Sequence, residues 1–362
     1  MEDIKNIKQG DKLTIYYINH CYKESHNNLW RKRPMKKKNQ EDMLLYHYCS
    51  NEVMISILKK KQLWMTDISH SNDYNELLLF LPDVYYAIED QYNKSPFDML
   101  YKGKRGNQAL NLLLRNVDDY INKSLQKGDI TSFVVCFSEK GDLLSQWRGY
   151  ANDAYGFSIG FSKNELANYS KKDCFNGMLS FHKVKYINKD YANIIIKKHS
   201  NEILQYIKNI RIEVKKIFRL RDLNEEQTEF MMAILLYGKL ATFMIDSLRY
   251  KWDSYQEENE WRLYFNSITK DEESLFGEES KLPEWSFFDK DLLNFRGKMD
   301  FYSKEDCILP YYPINLSELS AKPIKQVLVG PKNRSYSQDI KLLFAKAQFQ
   351  IPNVSKSTIA YR

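Results

Sequence analysis

The sequence is poor in residues that break regular structure. Only 13 Gly and 9 Pro occur among 362 residues, about half the usual share of these two residues. This shortage disfavours collagen-like, low-complexity and loop-dominated chains. Hydrophobic residues make up 43% and include 26 Tyr and 19 Phe, so the chain can build a sizeable core and is not globally disordered. The length allows two or three folded units.

Paired cysteines, an N-terminal leader and long apolar runs are also missing. The five Cys are scattered and form no Cys-x-x-Cys pair, which disfavours a zinc ribbon and a disulfide framework. Apolar stretches such as Met231 to Leu236 are far shorter than the roughly 20 residues of a membrane helix, and no apolar signal core follows Met1. We therefore expect a cytoplasmic protein with no membrane partner. The net charge of +7 allows nucleic acid or a phosphorylated cofactor as partner without requiring either.

The common fingerprints of nucleotide binding and hydrolysis do not occur. The chain has no P-loop, no Gly-x-Gly-x-x-Gly, no His-Glu-x-x-His and no Gly-x-Ser-x-Gly. P-loop NTPases, Rossmann dehydrogenases, zincins and typical α/β-hydrolases are thus disfavoured. The six His show no paired spacing, and we expect no metal.

Strand and helix patterns alternate along the chain. Residues 1–40 are predicted to be a basic appendage, since six of the eight residues 31–38 are Lys or Arg; this run is either a phosphate-contacting arm or a solvated linker. Residues 41–335 are predicted to form the main domain, with a helical insertion at about 190–250. Residues 336–362 extend it with a strand and a helix. The predicted fold class is α+β, with a mixed or antiparallel central sheet and helices on its faces.

Two polar clusters lie in the first part of the main domain. His47-Tyr48-Cys49-Ser50 stands at a strand end and a helix cap, where a His can hydrogen-bond a ribose hydroxyl or an amide. The alternative is a His that only satisfies its own strand end. Asn72-Asp73 fits an ordinary Asx-turn before a helix predicted from about Tyr74, which Pro82 is expected to kink or end.

A third cluster combines polar groups with aromatic rings. It follows the strand that ends at Ser138 and contains Gln146, Trp147 and Tyr150. Such rings could form a wall that stacks a nicotinamide, an adenine or a base. The alternative is a partly buried Trp/Tyr cluster that fixes a turn.

The fourth cluster is the segment 257–265. A strand period of two sends alternate side chains to opposite faces. The apolar face holds Trp261, Leu263 and Phe265, and the other face holds Glu258, Glu260, Arg262 and Tyr264. An Arg beside two carboxylates lowers the pKa of one of them by about a unit or more, and an ionised Glu suits a cationic, sugar-like transition state. The alternative is a solvated strand face with a salt bridge worth ~0–1 kcal/mol.

These clusters, in this order, resemble a bacterial family known as domain of unknown function 2971. The resemblance spans about residues 43–335. It rests on His47 to Ser50, Leu63-Trp64, Asn72-Asp73, Cys136 to Ser138, Trp147 to Tyr150, Gly156 to Phe161, Glu258 to Arg262 and Val327 to Pro331. Cys49 stands where the family has a Thr-like residue.

The same order is more distantly similar to ADP-ribosyltransferases. That resemblance implies a split central sheet and NAD as the substrate. It makes Glu260 the catalytic carboxylate, His47 the contact to the NAD ribose, and Glu258 the group that orients the acceptor. Either Tyr150 or Trp147 would be the nicotinamide wall. The remaining NAD contacts would come from Tyr48, Ser50, Ser138, Gln146 and Arg262.

The leading expectation is therefore an NAD-using ADP-ribosyltransferase or NAD glycohydrolase that acts on nucleic acid or protein in anti-phage defence. It requires His47 and Glu260 to line one cleft. The second hypothesis is a non-catalytic module that binds a nucleotide, nucleic acid or peptide. The third is a metal-dependent nuclease-like effector, with Asp73, Glu139 and Glu258 as metal ligands.

Overall fold

The described part of the chain covers most of the predicted main domain. A computed structural model describes residues 42–68, 76, 78–126, 130–172, 179–217, 224–268, 299–304 and 307–361. The basic run 31–38 and the Asn72-Asp73 turn lie outside these residues.

Helices and strands alternate throughout, and the fold is mixed α+β as predicted. In chain order the elements are β1 (Leu44–Cys49), α1 (Asn51–Lys60), β2 (Gln62–Asp67), α2 (Leu81–Lys94), β3 (Leu100–Tyr101), β4 (Lys104–Arg105), α3 (Asn107–Gln126), β5 (Ile130–Ser138), α4 (Leu144–Tyr150), β6 (Phe157–Ser162), α5 (Lys163–Tyr169), β7 (Leu179–Lys183), β8 (Lys185–Ile187), α6 (Lys189–Ile217), α7 (Glu225–Ser247), β9 (Tyr250–Trp252), a 3-10 helix (Asp253–Glu258), β10 (Glu260–Ile268), β11 (Asp300–Lys304), β12 (Cys307–Asn315), α8 (Leu316–Leu319), β13 (Ile324–Val329), α9 (Ser337–Lys346) and β14 (Asn353–Lys356).

Local sequence signals explain where two of the helices begin. Ser50 caps α1 by accepting a hydrogen bond from the backbone N–H of Val53, as its position before the helix predicts. Pro82 does not kink or end a helix that begins near Tyr74. Instead it lies in the first turn of α2, where its fixed φ is favourable and its missing N–H costs nothing.

A central sheet of ten strands organises the fold, and it divides at β5. The order along the main path is β11-β12-β2-β5-β1-β6-β13-β14, and β10 and β7 extend from β5. One edge of β5 pairs with β10 over its full length. The other edge is shared, because β1 pairs only at Ser138 and β2 pairs at Val134 and Phe133. The sheet is therefore split at β5, with β1 and β2 leading into separate arms.

The two faces of the sheet carry different cores. Phe133, Val135 and Phe137 of β5 join a core with residues of α1 and α9. Val134 points the other way, into a core built from α2, α3, α6 and α7. The predicted helical insertion is thus α6 and α7, and it packs with α2 and α3 into one helical layer. By length and composition α7 could also cross a membrane, and its burial in this layer is typical of a core helix.

Candidate functional site

The polar face of β10 is the centre of the candidate site. The pairing of Glu260 with Ser138 and of Arg262 with Cys136 fixes the register of β10 on β5. Leu263 and Phe265 are buried in the core on the opposite face, as the period of two predicts. The alternation of β10 is therefore confirmed.

The polar face is buried, so the hypothesis of a solvated strand face is wrong. Arg262 is 2% exposed and Glu260 is 6% exposed. The Arg262 guanidinium binds both carboxylate oxygens of Glu260, with Nε at 2.7 Å from Oε1 and Nη2 at 3.1 Å from Oε2. Its Nη1 also donates to the backbone oxygen of Leu248 at 3.1 Å. The helical layer supplies this carbonyl and thereby covers the strand.

Three further charged residues complete the arrangement. The Lys251 ammonium lies 2.8 Å from Glu258, 3.5 Å from Glu260 and 3.6 Å from Glu76, and Glu76 lies 2.5 Å from Arg262. We call these five residues the ion cluster. It holds three carboxylates against two cations, so one negative charge is in excess when all are ionised. Sequence reasoning missed Glu76 and Lys251, because neither shares a local pattern with β10.

The two neighbouring glutamates of the ion cluster have opposite pKa shifts. Burial alone would raise the pKa of Glu260, but Arg262 and Lys251 outweigh burial and lower it to about 2. Burial raises the pKa of Glu258, and Lys251 offsets that rise only in part. Glu260 is therefore a fixed negative charge, whereas Glu258 is the better base of the two.

Glu258 reaches the ion cluster by a different route from the one predicted. It ends the 3-10 helix, and Asn259 then adopts a left-handed conformation with φ 45° before β10 begins. Glu258 is thus not a strand residue that alternates with Glu260. Contact with Lys251 and with the Tyr150 hydroxyl, 3.4 Å from Oε1, brings it to the same place.

Trp147 does not form an open aromatic wall. It is fully buried, packs edge-on against Tyr48 at 4.9 Å, and donates from Nε1 to Asp142 at 2.7 Å. The Tyr48 hydroxyl bonds the backbone of Lys140 and Leu143. The alternative interpretation, a Trp/Tyr cluster that fixes a turn, is therefore correct for Trp147, but the Tyr that packs against it is Tyr48 and not Tyr150.

Tyr150 differs from its neighbours in α4. Its side chain is 44% exposed, and it hydrogen-bonds to Glu258. Cys136 is exposed beside it in the site, and its thiol hydrogen-bonds to Glu260. Although the residue is exposed in part, protein atoms surround its thiol, and this burial together with the charge of Glu260 raises the pKa of the thiol, so it is not poised as a thiolate. The accessible side of the ion cluster is therefore formed by Tyr150, Cys136 and Glu258.

His47 lies on the opposite face of the sheet from Glu260. It pairs with Ile159, which lies in the core shared with α1 and α9, and its ring lies 6.1 Å from that of Phe137. Its Nδ1 donates to the backbone oxygen of Cys136 at 3.1 Å. Burial lowers its pKa. The expectation that His47 and Glu260 line one cleft is therefore wrong, and any reaction at Glu260 has to proceed without His47. The imidazole instead satisfies a carbonyl of β5 near the point where the sheet divides.

The other predicted contact residues have structural roles or are buried. Ser50 caps α1. The Ser138 hydroxyl donates to the backbone oxygen of Glu258 at 2.7 Å and accepts from Lys140 N at 3.0 Å, so it fixes the backbone that carries Glu258. Gln146 is buried in α4.

The predicted metal ligands are not brought together in the described part of the chain. Glu139 binds Lys183 at 2.7 Å and accepts from Trp261 Nε1 at 2.8 Å. Asp73 lies outside the described residues. Among the residues that the structure describes, no group of three or more His, Cys, Asp or Glu could hold a metal ion.

Comparison with known families supports one of the two resemblances. Residues 146–263 match the family described as protein of unknown function (DUF2971). The match runs from α4 to β10, about a third of the chain, and includes every member of the ion cluster except Glu76. The resemblance to this family is confirmed for these residues. No curated protein and no solved structure matches the chain, so the similarity to ADP-ribosyltransferases stays a prediction.

Proposed function

We propose that the protein cleaves the bond between nicotinamide and ribose in NAD and passes ADP-ribose to water or to a hydroxyl of a protein or nucleic acid. In this reaction the ribose–nitrogen bond breaks and neutral nicotinamide leaves. The acceptor oxygen bonds to the ribose carbon, and its proton goes to Glu258. The negative charge of Glu260 favours the cationic ribose in the transition state.

The observation that carries this proposal is that Lys251 lies 2.8 Å from Glu258 and 3.5 Å from Glu260, and that the pKa values of these two glutamates shift in opposite directions. Two carboxylates whose environments separate their pKa values divide the work of charge stabilisation and proton transfer. The two carboxylates therefore belong to one site, and the negative charge of Glu260 is one cause of the raised pKa of Glu258. The raised pKa of Glu258 makes it a stronger base than a free glutamate.

Tyr150 supports the same function from the accessible side. Its exposed ring lies beside Glu258, where it offers a surface on which a nicotinamide ring can stack. It therefore takes the role that Trp147, being buried, cannot fill.

A second candidate is a non-catalytic binding module. It is favoured by the enclosure of Glu260, whose two oxygens are both held by Arg262. On this hypothesis the ion cluster is structural, and it only holds Tyr150 in place to recognise a nucleotide, nucleic acid or peptide.

Nicotinamide release from NAD, measured by mass spectrometry, tests the proposal. Glu258→Gln should lower the rate by about 10²–10⁴-fold, the usual contribution of a general base. Glu257→Gln is the matched control, since it removes an exposed carboxylate from the same 3-10 helix and should leave the rate unchanged.

Two results would contradict catalysis by this site. One is a wild-type protein that releases no nicotinamide, and the other is a Glu258→Gln variant that keeps the full rate. If calorimetry then detects NAD binding that Tyr150→Ala abolishes, the binding module is the better description.

A further inference from the structure

A cavity lies in the helical layer, away from the ion cluster. It has a volume of about 440 Å³ and is bounded by α3, α7 and the hairpin of β3 and β4. This volume falls within the usual range for small-molecule sites. Its lining is largely apolar and includes three aromatic rings, those of Tyr101, Tyr120 and Phe230.

The cavity also contains a buried carboxylate that has no cationic partner among the described residues. Glu229 is 8% exposed. Among the described residues, its side chain accepts a hydrogen bond from the backbone N–H of Lys102, and no Lys, Arg or His lies within ion-pair distance of it. A buried carboxylate is stabilised most by a positive charge, so this site lacks the partner that it would favour.

The turn of the β3–β4 hairpin places the backbone N–H of Lys102 beside Glu229. Lys102 and Gly103 both have positive φ, at 49° and 71°, as in a type I′ turn. The turn aims the Lys102 N–H at Glu229, while the Lys102 ammonium lies 5.7 Å from the centre of the Tyr101 ring. The aromatic wall therefore already accepts a cation at its rim.

The remaining walls are held rigidly. Asn116 donates to the Tyr101 hydroxyl at 3.0 Å, and the Tyr120 ring packs edge-on against Tyr237 at 4.7 Å.

An anionic ligand is disfavoured in this cavity, although the cavity lies near the start of α7. The Asn224 capping box satisfies N–H groups of the first turn, and Glu225 and Glu226 add negative charge there.

We propose that this cavity binds a small organic cation, an ammonium group on an apolar body. The ammonium group would lie beside the Glu229 carboxylate, and the apolar part of the ligand would lie against the rings of Tyr101, Tyr120 and Phe230. Aromatic rings around a carboxylate are the chemistry that recognises quaternary and alkylated ammonium groups.

Calorimetry with acetylcholine and its uncharged carbon isostere, 3,3-dimethylbutyl acetate, tests this proposal. The two probes have the same shape and differ in charge. We expect acetylcholine to bind at least about tenfold more tightly. Glu229→Gln should bring the two affinities to within about threefold of each other, and Glu225→Gln, in the same helix turn but outside the cavity, should leave them unchanged.

Phe230→Ala tests the aromatic wall independently of the carboxylate. Phe230 is 43% exposed, so its truncation should disturb folding little, and it should weaken acetylcholine binding about three- to tenfold. The proposal is overturned if neither probe binds at about 10 mM, or if both bind equally. Unchanged selectivity in a folded Glu229→Gln, or unchanged affinity in Phe230→Ala, would also overturn it.

Discussion

Replacement of Arg262 by Met is the most direct test of the ion cluster. Met keeps much of the length of the side chain but removes the charge that contacts Glu260 and Glu76. The three carboxylates of the ion cluster would then share Lys251 alone. Removal of one partner from a buried ion pair typically costs about 3–5 kcal/mol, a large part of the roughly 5–15 kcal/mol that stabilises a domain.

The contribution of Glu260 to the pH dependence of stability should also change sign. In the wild type, the pKa of Glu260 falls from 4.5 to about 2 on folding. A lowered pKa in the folded state stabilises the protein above pH 4.5, and this contribution is lost as the pH falls towards 2. At about 1.4 kcal/mol per pKa unit, it is worth about 3 kcal/mol. Without Arg262, burial should dominate and raise the pKa of Glu260, so the variant should regain stability relative to the wild type as the pH is lowered from 7 to 5.

Urea unfolding followed by tryptophan fluorescence at pH 7 and pH 5 measures both effects. Lys94→Met is the control, because Lys94 pairs with Asp90 on an exposed helix surface and should change stability by less than about 0.5 kcal/mol. Adding Glu260→Gln to Arg262→Met should restore more than about 1 kcal/mol, since it removes an unpaired buried charge. A loss below about 1 kcal/mol in Arg262→Met, or the wild-type response to pH, would refute this reasoning.

Three further predictions follow from the fold. His47→Ala should leave nicotinamide release nearly unchanged, since His47 lies on the other face of the sheet; a loss of about 10²-fold or more in the kinetic assay would contradict this placement. Asp142→Ala should cost about 2 kcal/mol or more in urea unfolding, because Asp142 accepts hydrogen bonds from Trp147 and from residues 357–358 of the C-terminal tail. Gly156→Ala should cost at least about 3 kcal/mol, because the added Cβ would overlap the last carbonyl oxygen of β1. The control is Gly149→Ala, whose Cβ would meet open space in α4 and which should stabilise the protein by about 0.5–1 kcal/mol. Thermal unfolding compares the two variants.

Local sequence patterns predicted several features correctly. The α+β class, the start of α1 after Ser50 and the alternation of Leu263 and Phe265 with Arg262 all follow from signals within a few residues. A similar local signal was misinterpreted at Pro82, because proline favours the first turn of a helix as strongly as it disfavours the interior.

The site itself depended on contacts between distant parts of the chain. Period-two alternation shows which residues of one strand share a face, but it does not relate the faces of two strands. That relation came from the register, which places Glu260 opposite Ser138 and His47 opposite Ile159. His47 and Glu260 were therefore assigned to one cleft from sequence, although they lie on opposite faces.

The sequence by itself thus determined the kinds of elements and the side chains that each strand or helix presents, because these depend on neighbours in the chain. Only the tertiary structure decided that Glu76 and Lys251 join β10 in a buried ion cluster. Their charges interact through space at a few ångströms in surroundings of low dielectric constant, and no spacing along the chain encodes that proximity.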